Sequence, residues 1–233
     1  MSLLRIDLIS AVPDIFTSPL QTSILKRAQD KQLVDIHVHN LHDYAFDTYK
    51  HIDDTPFGGG AGMILQCEPI FACIEKLKAE RTYDHIIYMS PDGQKFHQDM
   101  ANSLSLCGNI IFLAGHYKGI DQRIREHLIT SEISIGDYVV SGGELPALMI
   151  IDAIVRLIPG VLGDAESSLS DAFMNDGLLD CPHYTRPAKF RDLEVPEVLR
   201  SGNHELIKKW RLEKSIEKTK RLRPDLYEQY QQS

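Results

Sequence analysis

Cysteine is scarce in this chain and badly spaced for bonding. Its 233 residues include four, Cys67, Cys73, Cys107 and Cys181, with no C-x-x-C pair and no histidine at zinc-finger spacing. A disulfide framework and a metal site are therefore not expected, and reduced thiols suit a cytoplasmic protein. Uninterrupted apolar runs are missing too. The longest candidate, "LPALMIIDAIVRLIPGVL", is broken by Asp152 and Arg156, which excludes a membrane span. The opening "MSLLRIDLISAVPDIF" carries Arg5, Asp7 and Asp14, so it is not expected to be a signal peptide. No G-x-x-x-x-G-K-[ST] occurs, which argues against a nucleoside-triphosphatase loop.

Positive charge is in short supply overall, but not everywhere. The net charge is −8, which on its face disfavours nucleic acid. Between Arg186 and Arg223, however, twelve Lys and Arg face six Asp and Glu. A basic segment on an acidic body is the asymmetry of a protein whose one end meets a polyanion. A solvated helix laced with ion pairs would give the same count.

What is present reads as an α/β chain. "LLRIDLIS" predicts a strand, Asp14 to Asp30 a helix, and "VDIHVHN" a strand with one wet face. "EPIFACIEKLKAE" is helical in period, and "HIIYMSP" is a short buried strand ending at Pro91. "QDMANSLSL" and "DQRIREHLI" predict helices, "NIIFLAG" and "EISIG" strands, and Leu145 to Leu157 a long apolar helix. Such alternation predicts a parallel sheet with helices on both faces. After residue 162 the texture changes. Residues 163–181 are polar and aperiodic, as in a flexible linker. Residues 182–233 form a small C-terminal helical unit, whose main helix begins near Gly202 and Asn203 and ends before Pro224. On a helical wheel Lys208, Arg211, Lys214, Lys218 and Arg221 share one broad face, opposite Leu206, Ile207 and Trp210.

Three loops follow predicted strands: "YMSPDG", "LAGHYKGID" and "SIGDYVVSGGELP". The last sets three glycines, an acid pair and a proline between apolar stretches. Backbone so permissive suits a sharp turn or a close approach to a ligand, and open α/β sheets bind ligands at this edge. A fourth loop, "FGGGAGM", contains G-x-G-x-G but neither follows a strand directly nor opens a helix. It is no dinucleotide fingerprint, and reads instead as a flexible loop able to close over a flat substrate.

In order along the chain, "DDTPFGGGAGM", "MSPDG", "GHYKGID", "SIGDYVVSGGELPA", "RLIPGVLG", "DGLLDCPHYTRP" and "SGNHELIKKWR" resemble the bacterial tRNA (guanine-N1)-methyltransferase family. The resemblance runs from the first strand to the last helix. It implies a SPOUT-type parallel sheet with a deep trefoil knot at the cofactor site, a feature that periodicity does not show. It also implies a homodimer with active sites at the subunit interface and S-adenosylmethionine as methyl donor. The target would be N1 of the guanosine 3′ of the anticodon, where another guanosine precedes it. By motif, the donor would be held by Tyr88, Met89, Ser90, Pro91, Gly115, Tyr117, Ile135, Gly136, Asp137, Tyr138, Val139, Val140, Gly142 and Gly143. The last two would be glycine because a Cβ would collide with ligand or threaded chain.

Guanine N1 carries a proton and is a poor nucleophile, so its methylation needs a base for that proton and a cation for charge gathering on O6. The resemblance gives Asp171 the first role and Arg156 the second. Alone, Asp171 would read as a helix N-cap and Arg156 as a snorkelling residue. The segment around Asp171 is expected to order on tRNA binding. Gly58, Gly59 and Gly60 would grip the flipped guanine, and Lys208, Arg211 and Lys218 would meet anticodon-stem phosphates. His183 and Arg186 would contact RNA near the hinge, with Asp180 as a contact or positioning acid. The resemblance is incomplete in three places. His116 and Lys118 replace the family's arginine and glutamate, which should weaken donor binding. Ala61 stands where proline is usual, and one extra residue separates Asp171 from Asp180. Lys118 also motivates the alternative of a weak or inactive tRNA-anticodon binder. A SPOUT methyltransferase with another RNA target is the third reading. A Mg2+ requirement is not readable from these residues.

Overall fold

A computed structural model describes residues 3–162, 173 and 177–232, which divide into two compact units, Met1–Gly163 and Asp164–Ser233. The first unit runs β1 (Leu4–Ser10), α1 (Asp14–Leu20), α2 (Ser23–Asp30), β2 (Val34–Asn40), β3 (Asp53–Asp54), β4 (Ile64–Leu65), α3 (Cys67–Glu80), β5 (His85–Lys95), α4 (Gln98–Leu104), β6 (Asn109–Ala114), α5 (Gln122–His127), β7 (Ser131–Ser134) and α6 (Glu144–Val155). Five strands form one parallel sheet in the order β2-β1-β6-β5-β7, and β3 pairs with β4 apart from it. Central strands of a sheet covered on both faces must be apolar almost throughout. β6 meets this with Ile110, Ile111, Phe112 and Leu113, none of them exposed, and β1 with Ile6, Leu8 and Ile9. β2, at the edge, keeps most of its residues half-buried. One sheet face packs on α1, α2, α4 and α6 through Phe16, Leu25, Leu104 and Ile151; the other packs on α3 and α5 through Ile70, Ile74 and Ile124.

Two element boundaries differ from expectation. The single helix foreseen over Asp14 to Asp30 is two, because Pro19 lies in the last turn of α1 and Ser23 adopts φ +50°. β5 does not stop at Pro91 but resumes pairing with β7 after a register shift between Met89 and Gln94. Pro91 sits inside that irregularity, where its missing N–H breaks no ladder bond. Gly93 permits the close pass there, since a Cβ would come within 2.4 Å of the Glu132 carbonyl carbon.

A charged residue lies at the heart of β1. Asp7 is fully buried, and accepts from Arg5 at 2.8 Å and from the Tyr83 hydroxyl at 2.8 Å, with His39 Nε2 at 2.7 Å. Burial opposes its ionisation, yet these partners prevail and hold its carboxyl well below the usual carboxylate range.

The second unit contains a short hairpin, Lys189–Phe190 with Leu193–Glu194, and helices Glu197–Arg200, His204–Leu222 and Pro224–Gln232. Asn203 caps the long helix by accepting from Leu206 N at 3.2 Å. Pro224 does more than end that helix. It opens the next, where a first-turn position loses nothing from a missing N–H. Leu178 and Cys181, at the end of the expected linker, are buried, and Leu179 N donates to the buried Thr219 hydroxyl at 2.9 Å. Leu206 is 51% exposed, so the apolar side of the long helix is Ile207 and Trp210, with the Trp210 ring 6.4 Å from that of Tyr184.

Candidate functional site

The carboxyl ends of β5, β6 and β7 frame a cavity of roughly 310 Å³, the edge at which open α/β sheets bind ligands. Its walls are the irregular stretch of β5 (Ser90, Pro91), the turn after β6 (Gly115 to Gly119) and the long loop from β7 to α6. Two of these walls are stitched together. Gly143 N donates to the Gly115 carbonyl at 2.7 Å, and Gly142 bridges to His116. A Cβ on Gly143 would lie 2.9 Å from the Ala114 Cα, the Gly115 nitrogen and the Met89 Cβ. None of these can yield without moving backbone or core. The glycine is thus demanded by the crossing of two chain segments, as the sequence suggested for one of its two possible reasons.

Thirteen of the fourteen residues expected at the donor line this cavity: Tyr88, Met89, Ser90, Pro91, Gly115, Tyr117, Ile135, Gly136, Tyr138, Val139, Val140, Gly142 and Gly143. The exception is Asp137, whose side chain is 76% exposed and ion-paired with Lys95. Its place in the motif does not bring its carboxylate to the wall. Tyr88 has its ring beneath the Arg125 guanidinium, 5.8 Å from the centroid; burial raises its phenol pKa, against that cation's opposing pull. Tyr117 reaches the cavity from a left-handed turn, φ +60°, and stays half-exposed. His116, Lys118, Ile133, Ser134, Ser141 and Pro146 also line the space. The resemblance already sets His116 and Lys118 beside the donor and Ser141 within the last loop; for Ile133, Ser134 and Pro146 the neighbouring motif was the signal that could have found them. The cradle suits a flat, largely apolar ligand with polar ends, and the glycine crossing leaves room that any side chain would take.

Arg156 caps the C-terminal end of α6, half-buried, and is not among the residues lining the cavity. Gly143 lies at the other end of that helix, about 20 Å away at 1.5 Å per residue. Asp171 lies outside the described residues. Gly58, Gly59 and Gly60 all adopt positive φ in an open loop beside the fully exposed Phe57. Lys118 leans toward that loop, its Nζ 3.6 Å from where a Gly60 Cβ would stand.

In the second unit, Lys208, Arg211, His183 and Arg186 are exposed. Lys218 is half-buried and donates to the Asp180 carbonyl at 2.9 Å, tying helix to loop. Asp180 Oδ2 lies 2.6 Å from His183 Nε2, and Oδ1 accepts from Cys181 N at 2.7 Å. Burial works against its charge, but these bonds leave its carboxyl below the ordinary range. Asp180, Cys181 and His183 bring metal-capable atoms within 4.8 Å of one another, a grouping the sequence reading did not foresee. With burial raising the Cys181 thiol pKa and Lys218 of the long helix bonded to the same loop, the arrangement is that of an Asp–His pair.

Comparison with known proteins decides the family. The profile described as tRNA (Guanine-1)-methyltransferase TrmD matches residues 4–229. The chain belongs to the tRNA (guanine-N1)-methyltransferase family. It is 59% identical to the tRNA (guanine-N(1)-)-methyltransferase of Chlorobaculum tepidum over 96% of each chain. The enzyme of the same name from Bacteroides fragilis strain YCH46 is 59% identical over 97% of this chain and all of its own. That of Flavobacterium psychrophilum is 57% identical over 96% and 99%. The family therefore covers both units, the glycine-stitched cavity and the basic helix alike. Among the described residues no helix is long and apolar enough to cross a membrane.

Proposed function

We propose that this chain transfers a methyl group from S-adenosylmethionine to N1 of the guanosine 3′ of the anticodon in tRNA, as a cytoplasmic homodimer. Membership of the family makes it a tRNA (guanine-N1)-methyltransferase; the donor, the target position and the assembly are our reading. The observation that carries the donor assignment is the cavity whose glycines leave a slot between crossing segments at the sheet's carboxyl edge. S-adenosylmethionine, when bound, supplies an electrophilic methyl group on a sulfonium.

The chain's own residues then have four tasks. The apolar walls from Met89, Ile135 and Val140 exclude water and take a flat base. Asp171 accepts the guanine N1 proton, freeing that electron pair to form the new N–C bond. Arg156 faces O6 and stabilises charge gathering there. Lys208 and Arg211 hold tRNA through phosphates. Arg156 and the cavity lie at opposite ends of α6, which fits a site completed by a second copy. An apolar groove lined by Ile24, Leu25, Leu145, Leu148 and Met149, with Leu145 and Met149 more than half exposed, supports α6 as the dimer face. A deep trefoil knot, as the resemblance implies, fits the stitching of Gly143 to Gly115.

The test is methyl transfer from tritiated S-adenosylmethionine to a tRNA transcript with adjacent guanosines, followed by nucleoside digestion. Label in N1-methylguanosine is expected, from a protein that sediments as a dimer. Folded protein giving no label, or label in another nucleoside, would overturn the reading.

A further inference from the structure

Behind the cavity wall lies a carboxylate that none of the foregoing chemistry uses. Glu144, the first residue of α6, is 1% exposed. Its Oε1 accepts from the Ser10 hydroxyl at 2.7 Å, a fully buried contact that joins the end of β1 to the start of α6. Ser10 Oγ is itself fixed, accepting from Val12 N at 2.8 Å. The other carboxylate oxygen, Oε2, lies 3.9 Å from His116 Nδ1, an atom that is buried and has no hydrogen-bond partner among the described residues. Gly142 is squeezed between the two: a Cβ there would stand 2.3 Å from Glu144 Oε2 and 2.8 Å from His116 Nδ1.

A buried carboxylate is costly unless hydrogen bonds and a nearby positive dipole or cation offset the loss of water. The helix N-terminus and Ser10 supply part of this. What makes the arrangement functional is its place. It stands directly under the Gly142–His116 bridge and next to the Gly143–Gly115 hydrogen bond, the two contacts that give the cavity its shape. We propose that Glu144 is a positioning residue of the methyl-donor site: anchored by Ser10, its carboxylate holds His116 and Gly142 in register and so sets the width of the donor slot. This rests on the reading of the cavity as the donor site. It also gives the His116 replacement a structural partner in this chain.

The experiment is calorimetric titration of S-adenosylhomocysteine into the full-length protein and its variants, with tRNA affinity measured separately by filter binding without donor. Glu144→Leu should weaken S-adenosylhomocysteine by about tenfold or more, since a hydrogen bond to a charged group is lost. Its tRNA affinity should stay within about twofold. Glu144→Gln still accepts from Ser10 and should restore donor affinity to within about threefold of wild type. A role in stability alone would lower Tm without this split between donor and tRNA. A folded leucine variant with wild-type donor affinity overturns the proposal, as does a glutamine variant as weak as the leucine one. Should the leucine variant fail to fold, Ser10→Ala carries the question: about threefold weaker donor binding is expected, and unchanged affinity overturns it. Failure of the wild type to bind S-adenosylhomocysteine would sink the donor-site reading itself, and this inference with it.

Discussion

Gly142 and Gly143 sit where two chain segments cross, and neither has room for a methyl group. Gly58 and Gly59, in the other glycine-rich stretch, have nothing within 4 Å of where a Cβ would be, but hold φ of +84° and +78°. Space dictates the first pair and backbone conformation the second. The difference fits the roles proposed for the two regions. A donor slot must be rigid and narrow before its ligand arrives, whereas a loop that closes over a flipped base must bend without a core to brace it. On this account, changes in the crossing should be read in donor binding, and changes in the open loop and basic helix in tRNA binding.

The largest effect should come from outside both regions. Asp171→Ala should slow single-turnover methyl transfer by about 10²–10⁴-fold, while calorimetry finds S-adenosylhomocysteine bound as before. An unchanged rate would remove the acid from its role. Next, Gly143→Val should abolish measurable donor binding and lower Tm, because its Cβ meets backbone at 2.9 Å. Normal affinity would mean that the crossing does not shape the slot.

A control for stability sits on β1. Asp7→Asn breaks a buried ion pair and should destabilise the fold by about 3–5 kcal/mol in urea titrations, with donor affinity of the folded protein unmoved. The pH dependence has a definite sign. The Asp7 carboxyl is depressed in the fold, so its stabilisation is fully present above the ordinary carboxylate pKa, about 3.9. It is lost as pH falls through the lower folded value, so wild type should lose stability below about pH 4 more steeply than Asp7→Asn.

Smaller effects belong to the RNA side. Lys208→Gln with Arg211→Gln should weaken tRNA binding about tenfold and flatten its salt dependence, leaving the donor titration unaltered. Gly59→Ala should cost about 1–2 kcal/mol of local strain, seen as a few-fold rise in KM for tRNA alone. If Gly59→Ala instead weakened the donor, the division between the two regions would fail.

Much of this was legible in the chain. Apolar runs such as "NIIFLAG" mark central parallel strands because such strands have no wet face, and the three loops that follow strands converge as α/β topology requires. The break at Pro19 and the resumption of β5 beyond Pro91 were not legible. Both depend on what proline meets in three dimensions, and local propensity cannot report it. For Asp137, adjacency is no guide to orientation: a loop residue between two cavity-lining neighbours turns its side chain to Lys95 at the end of β5. For Lys218, periodicity gives the face of the helix but cannot show that its ammonium meets the Asp180 carbonyl. Glu144 stayed hidden for a related reason. An acid at a helix start reads as a capping preference until the fold places Ser10 and His116 beside it.

Single-turnover methylation of two tRNA transcripts, identical except for the base 5′ of the target guanosine, tests the central claim most directly. The account predicts rapid formation of N1-methylguanosine when that base is guanosine and little when it is adenosine. Equal rates on both transcripts, or no N1-methylguanosine from folded protein that binds S-adenosylhomocysteine, would contradict it.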